Sequence, residues 1–138
     1  MVRVKSDADA LGFMHEKYQQ YYRGVKVENA TYSVHSRAGS IESITGHVGH
    51  PKSVSVTPRI TSETALKQAI VFVGAAKYMW QISQEEEGLK QRENNPYATY
   101  LPKGELVIVA NGIKQEASKK GQLTLAWKFE VVHLGWTV

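Results

Sequence analysis

The sequence predicts an α+β protein of two tandem lobes, each a helix packed on a curled antiparallel sheet. Three observations carry this reading. From Asn29 to Arg37, Ala30, Tyr32 and Val34 alternate with Thr31, Ser33, His35 and Arg37, the period of two that a half-buried strand needs. Leu66, Ala69, Ile70, Val73, Ala76 and Trp80 recur at helical spacing and form one apolar face. Leu123, Leu125, Trp127, Phe129 and Val131 alternate with Thr124, Ala126, Lys128 and Glu130, a second clear strand.

The remaining elements follow in chain order. Ser6-Asp7-Ala8-Asp9 offers N-cap residues ahead of Ala10, Leu11, Phe13 and Met14, which predicts a short helix broken or capped near Gly12. His15 to Tyr22 is rich in tyrosine and reads as a strand. Arg23-Gly24 turns it into Val25-Lys26-Val27, and Arg37-Ala38-Gly39-Ser40 turns the next strand into a weaker one over Ile41–Val48. A loose stretch from Gly49-His50-Pro51 to Pro58 predicts a boundary, giving lobes at 1–57 and 58–138. The long helix begins at Thr61 or Ser62, with Glu63 in the first turn where the helix dipole favours negative charge. Ser83-Gln84-Glu85-Glu86 fits a capping box before a short acidic helix with a solvated glutamate face. Glu105 to Ala110 is strongly β-forming, and Asn111-Gly112 is a turn dipeptide.

Bulk composition narrows the function. The 138 residues suit one ordinary domain or two small lobes, and 42% hydrophobic with 22% charged residues predicts a folded core. The net charge of +4 is scattered, with Lys119-Lys120 the tightest basic pair, so no basic face for nucleic acid is expected. The longest apolar stretch, Ala69 to Ala76, is far short of a membrane span. The opening Met1-Val2-Arg3-Val4-Lys5 has no apolar signal-peptide core. There are no cysteines, which excludes thiol nucleophiles, disulfides and cysteine-based zinc sites.

A search for chemistry returns no catalytic set. His15-Glu16-Lys17-Tyr18-Gln19 resembles a zinc-peptidase helix, but Gln19 stands where the second ligand must be. His47 and His50 lie close together and would need a third ligand from the fold. No Gly-x-Ser-x-Gly elbow, phosphate loop or dinucleotide fingerprint occurs. Glu85, Glu86 and Glu87 are adjacent on one helix and point in different directions, so they form no acid–base pair. Tyr18, Tyr21, Tyr22 and Tyr32 fit cross-strand packing better than ligand stacking. The residues alone describe a small α+β binding or scaffold module with no cofactor and no metal.

One block goes further. His15-Glu16-Lys17-Tyr18-Gln19-Gln20-Tyr21-Tyr22-Arg23-Gly24-Val25-Lys26-Val27-Glu28-Asn29-Ala30, followed by Val34-His35, Gly39 and Thr45-Gly46, resembles the fungalysin/thermolysin propeptide motif. Lys26 replaces the usual proline, Asn29 the usual glycine and Thr45 the usual asparagine. The motif positions His15, Tyr18, Gln20, Tyr22, Gly24, Val27, Ala30, His35 and Gly46 are expected to be mainly structural. The remainder resembles the PepSY lobe of the same pro-regions: Thr61–Ala76 its helix, Tyr78-Met79-Trp80 and Ala98–Val109 a strand region, and Leu125–Val131 the next strand. That lobe usually continues through a further hairpin, so the resemblance implies a second lobe shortened at its C-terminal end.

The resemblance implies two cystatin-like lobes that act as folding chaperone and inhibitor of a secreted thermolysin-like zinc metallopeptidase until cleaved. The implied partner is the cognate catalytic domain, bound by a non-catalytic monomer, with Tyr21, Tyr22 and Trp136 as candidate contacts. A free-standing secreted PepSY-type binder of another protease is the alternative. An enzyme of curved-sheet shape is disfavoured, because Leu123 to Val131 presents apolar groups where a pocket would need polar ones.

Overall fold

A computed structural model describes residues 1–110 and 122–133. Its described elements are β1 (Val2–Ala8), β2 (Phe13–Tyr22), β3 (Val25–Arg37), β4 (Ser40–Gly46), α1 (Ser62–Val73), a 3-10 turn (Met79–Gln81), α2 (Ser83–Glu93), β5 (Glu105–Ala110) and β6 (Leu123–Lys128). The α+β class holds. The six strands belong to one sheet, in the order β1-β2-β3-β5-β6, with β4 also paired to β3. The chain divides into two compact units, one of Met1–Pro58 with Leu106–Ala126 and one of Arg59–Glu105 with Trp127–Val138.

The first unit is built by successive hairpins. Arg23 and Gly24 both have positive φ, as a two-residue turn matching the strand twist requires, and Tyr22 pairs with Val25 across it. Ala38 and Gly39 repeat the device between β3 and β4. The β2–β3 ladder then meets an irregularity: Gln19 opposes Thr31, but Tyr21 opposes Lys26. One residue of β2, Gln20, therefore faces the stretch Val27–Ala30 of β3. Such a bulge bends the longer strand and interrupts its regular pairing. Beyond it, Lys26 and Val27 pair with Val107 and Ile108 of β5, while Tyr32–Arg37 pair with β4. Hence β3 has β4 beside one end and β5 beside the other.

The β3–β5 pairing is parallel, where the sequence led us to expect antiparallel strands alone. A parallel partner needs a long crossover, which here spans the whole segment from β4 to α2. No local turn signal encodes it. The core of this unit is Val27, Ala30 and Ile108, with Tyr22, Val25, Val54, Leu123 and Leu125 packed around them. Val27, Val107 and Ile108 are essentially sealed from solvent; full burial of such side chains contributes about 1.5–3 kcal/mol each.

The predicted helix over Ser6–Met14 is not formed. Val2–Ala8 is a strand paired with β2, and Asp9–Gly12 is the turn between them. Asp9 Oδ1 accepts from the backbone N–H groups of Leu11 (2.9 Å) and Phe13 (3.0 Å). A helix N-cap and an aspartate-capped turn use this same hydrogen bond, so the sequence signal fits both.

The second unit contains α1, the 3-10 turn and α2. Thr61 caps α1 by accepting from Thr64 N–H (3.2 Å), and Glu63 lies in the first turn as expected. Gly74, in the left-handed region, ends the helix, so Ala76 and Trp80 fall outside it. Tyr78 takes over as the buried anchor. Its hydroxyl donates to Ile70 O (2.9 Å), its ring stacks on Trp80 (4.6 Å between centroids), and it bridges His133. Tyr78–Trp80 is thus mainly a helical turn, where a strand region was expected. Helix α2 begins with Ser83 in its first turn and Ile82 at the cap, so the predicted capping box does not form. Glu86 is not simply solvated: it accepts from Tyr100 N–H (2.7 Å), and Arg92 donates to the Tyr100 hydroxyl (2.6 Å). The strand β6 ends at Lys128, short of the expected Val131. The Asn111-Gly112 turn and Lys119-Lys120 lie outside the described residues.

Gly46 has φ 132°, and a Cβ there would overlap Thr31 O and Tyr32. Both objections are to any side chain. We expect Gly46→Ala to destabilise the chain by about 2 kcal/mol or more, read as a lower urea midpoint at unchanged slope.

Candidate functional site

The residues singled out by the sequence cluster on β2, β3 and the turns that join them. They divide between the two faces of the hairpin, because side chains alternate along each strand. On one face His15 and His35 are directly opposite across the ladder. Their Nδ1 atoms are 2.6 Å apart, His15 Nε2 is 2.8 Å from Asp9 Oδ2, and His35 Nε2 is 2.9 Å from Thr45 Oγ1. A carboxylate only accepts, so His15 donates from Nε2. One proton assignment then satisfies the row: His35 Nδ1–H donates to His15 Nδ1, and the Thr45 hydroxyl donates to His35 Nε2. Hydrogen bonding from His15 is the main reason that the Asp9 carboxyl is held below its usual range, aided by the N–H of Phe13.

The opposite face carries the Tyr18–Tyr32 pair. Tyr18 and Tyr32 are paired across the strands with rings stacked at 5.2 Å. Glu16 Oε2 accepts from Arg3 (3.1 Å) and from the Tyr18 hydroxyl (3.0 Å). The Arg3 bond is the first cause of a lowered Glu16 pKa, and the Glu16 bond the first cause of a raised Tyr18 pKa. Tyr22 packs against the core while Arg23 lies over its ring, and Tyr21 is exposed. Trp136 lies outside the described residues.

Between these clusters is the bulge, and the residue that fills it was missed from sequence. Gln19 is buried at 6% exposure. Its Nε2 donates to Val27 O (2.7 Å), Gln20 O (3.0 Å) and Ala30 O (3.3 Å). Three backbone carbonyls at the bulge thus converge on one amide. Gln20 is the companion: its amide donates to Gly49 O (2.9 Å) and accepts from Gly49 N–H (2.8 Å), pinning the segment after β4. The motif positions Val27 and Ala30 are core residues, and Gly24 and Gly46 serve turns and close approach. The substitution at position 29 is also explained: Asn29 sits at φ 59°, a left-handed position that glycine or asparagine tolerates. Thr45, another of the three departures, terminates the imidazole row.

Residues 1–48 match the family description Fungalysin/Thermolysin Propeptide Motif. The first 48 residues carry this propeptide motif. Its span covers β1 to β4 and ends just before Gly49, the residue held by Gln20. A search of curated proteins finds no match to the chain.

Many of the motif's side chains make hydrogen bonds or pack within β1 to β4. The Asp9–His15–His35–Thr45 row has the residue types of a hydrolytic relay, yet none of the four lines the cavity described in this unit. That cavity, about 570 Å³, is lined by His47, His50, Lys52, Val54, Gln122 and Leu123 among others. No three His, Cys, Asp or Glu side chains among the described residues are placed to hold a metal ion. No helix among them is long and apolar enough to cross a membrane.

Two outcomes follow. Gln19→Leu removes the donor while keeping bulk, and is expected to cost about 2–3 kcal/mol in a denaturant titration, since Val27 O and Ala30 O lose their shared partner. Asp9 has a folded pKa below its ordinary value, so its contribution to stability is complete above that value and disappears as pH falls through the folded one. Thermal midpoints measured from pH 7 down to acid should therefore fall less steeply for Asp9→Asn than for the parent chain.

Proposed function

We propose that the chain is the pro-region of a secreted thermolysin-like zinc metallopeptidase, which assists folding of the catalytic domain and blocks it until cleavage. The match of residues 1–48 to the propeptide motif carries this reading. The geometry supports it: the motif's polar groups are engaged in hydrogen bonds within the strands, and exposed apolar residues such as Met14, Ile41 and Ile44 remain on the strand surfaces. Exposed strand edges and apolar residues suit a protein that binds another protein.

The mechanism needs no catalytic side chain. A partner that binds the native peptidase better than its unfolded chain stabilises the native form by mass action. Tethered, it acts at high effective concentration, and cleavage removes that advantage. On this reading zinc belongs to the catalytic domain, and the complex acts outside the cytoplasm, as precursors of this family do. The likeness of residues 58–138 to a PepSY lobe, together with the two cystatin-like lobes it implies, rests on sequence resemblance.

Denatured thermolysin-like catalytic domain from the same organism should be refolded with and without an equimolar amount of this chain. Higher recovered activity after the chain is digested away, with inhibition before digestion, is expected. Unchanged recovery and no inhibition would contradict the proposal.

A further inference from the structure

We infer that the His15–His35 pair is a proton-counting switch: the row from Asp9 to Thr45 takes up one extra proton intact, and a second proton breaks it and loosens β4. The stoichiometry follows from counting donors and acceptors at fixed positions. In the neutral row His15 Nε2–H faces Asp9, one N–H lies between the two Nδ1 atoms, and His35 Nε2 accepts from the Thr45 hydroxyl. A first proton enters at His35 Nε2. The Thr45 hydroxyl, able to donate or accept, turns to receive that N–H, and the other bonds of the row survive. A second proton finds one ring nitrogen left, His15 Nδ1, whose lone pair already receives the His35 N–H. Filling it sets two N–H groups head to head across 2.6 Å, on two cationic rings. That bond is lost and the rings must part.

The surroundings suit one positive charge here and not two. Opposite His15 lie Asp7 of β1 and His35 of β3, and opposite His35 on its other side lies the uncharged Ser43 of β4. Asp7 is already paired with Lys5 (3.0 Å), and Lys17 of β2 lies opposite Lys5. Phe13 stacks on His15 and carries Arg37 over its own ring. Glu42 is skipped by the β3–β4 register and opposes no residue of β3. Among the described residues Asp9 is thus the one carboxylate bonded to the pair, with Lys5, Lys17 and Arg37 on neighbouring positions. The Asp9 and His15 side chains are each 36% exposed, so protons reach the row from solvent.

His35 is the link between β2 and β4. Every residue of β4 is exposed, and the Thr45–His35 bond is the one side-chain hydrogen bond from β4 to β3 among the described residues. With the row broken, β4 is held by its backbone ladder alone. The two imidazoles titrate as a pair and not as independent groups. The intact row holds one proton where two separate imidazoles of an unfolded chain hold two. The unfolded chain therefore binds more protons in acid, and the hold on β4 weakens as pH falls.

The test is a titration of the native chain from about pH 8 to about pH 4, with nitrogen-resolved NMR of the histidine rings and amide protection factors in β4 followed together. Asp9 stays ionised over that range, since the hydrogen bond from His15, before any other cause, holds its carboxyl below the usual value. At the neutral end His15 should be the Nε2–H tautomer and His35 the Nδ1–H tautomer. The pair should then take up one proton with β4 protection unchanged, and the second together with a fall of about tenfold in that protection. His35→Phe keeps a ring at the position and should leave β4 protection constant with pH. Uptake of both protons at unchanged β4 protection, or Nε2–H tautomers on both rings at neutral pH, would overturn the inference.

Discussion

The buried amide of Gln19 is the interaction on which the first unit depends. Strand β3 keeps β2 as a neighbour at both of its ends, while its other partner changes from β5 at Lys26–Val27 to β4 at Tyr32–Arg37. The bulge at Val27–Ala30 interrupts the pairing with β2 between Gln19–Thr31 and Tyr21–Lys26, and Lys26 and Val27 at its edge pair with β5. Val27 O and Ala30 O beside it are buried, where a missing hydrogen bond costs about 1–3 kcal/mol. Gln19 supplies the donor, and Val27 and Ala30 are then free to face the core as apolar groups. Its neighbour Gln20 reaches the other way and holds Gly49, so two consecutive glutamines fix both the bulge and the segment leading from β4.

The same alternation sorts the remaining polar groups. The row from Asp9 to Thr45 ties the first turn, β2, β3 and β4 together on one face, and the Arg3–Glu16–Tyr18 set ties β1 to β2 on the other. Four strands are thereby cross-linked by side chains although few of their residues are buried. Exposed pairs of this kind contribute little singly, but each specifies register, and a slip of one residue would break all of them together.

Local signals were legible in the sequence and long-range ones were not. The Arg23-Gly24 and Ala38-Gly39 turns, the alternation of β3 and the helix starting after Thr61 are written in neighbouring residues, and all are found. The first strand was misread because Asp9 can cap a turn or a helix with the same hydrogen bond. The parallel β3–β5 pairing has no local signature, since Val27 and Ile108 meet only through tertiary packing. In the sequence Gln19 marks only the place where a zinc motif fails. Its burial could have been suspected from its place in a tyrosine-rich strand, yet its partners are carbonyls made available by a bulge that sequence spacing does not show.

A template that acts by binding must keep a defined surface without its partner present. The Gln19 bulge and the imidazole row provide that rigidity, and exposed apolar residues on the strands provide surface to bury. Hydrogen exchange of the chain, alone and mixed with an inactivated thermolysin-like catalytic domain, tests this most directly. The account predicts slowed exchange in β1 to β4 on mixing. Identical exchange throughout the chain in both samples would contradict it.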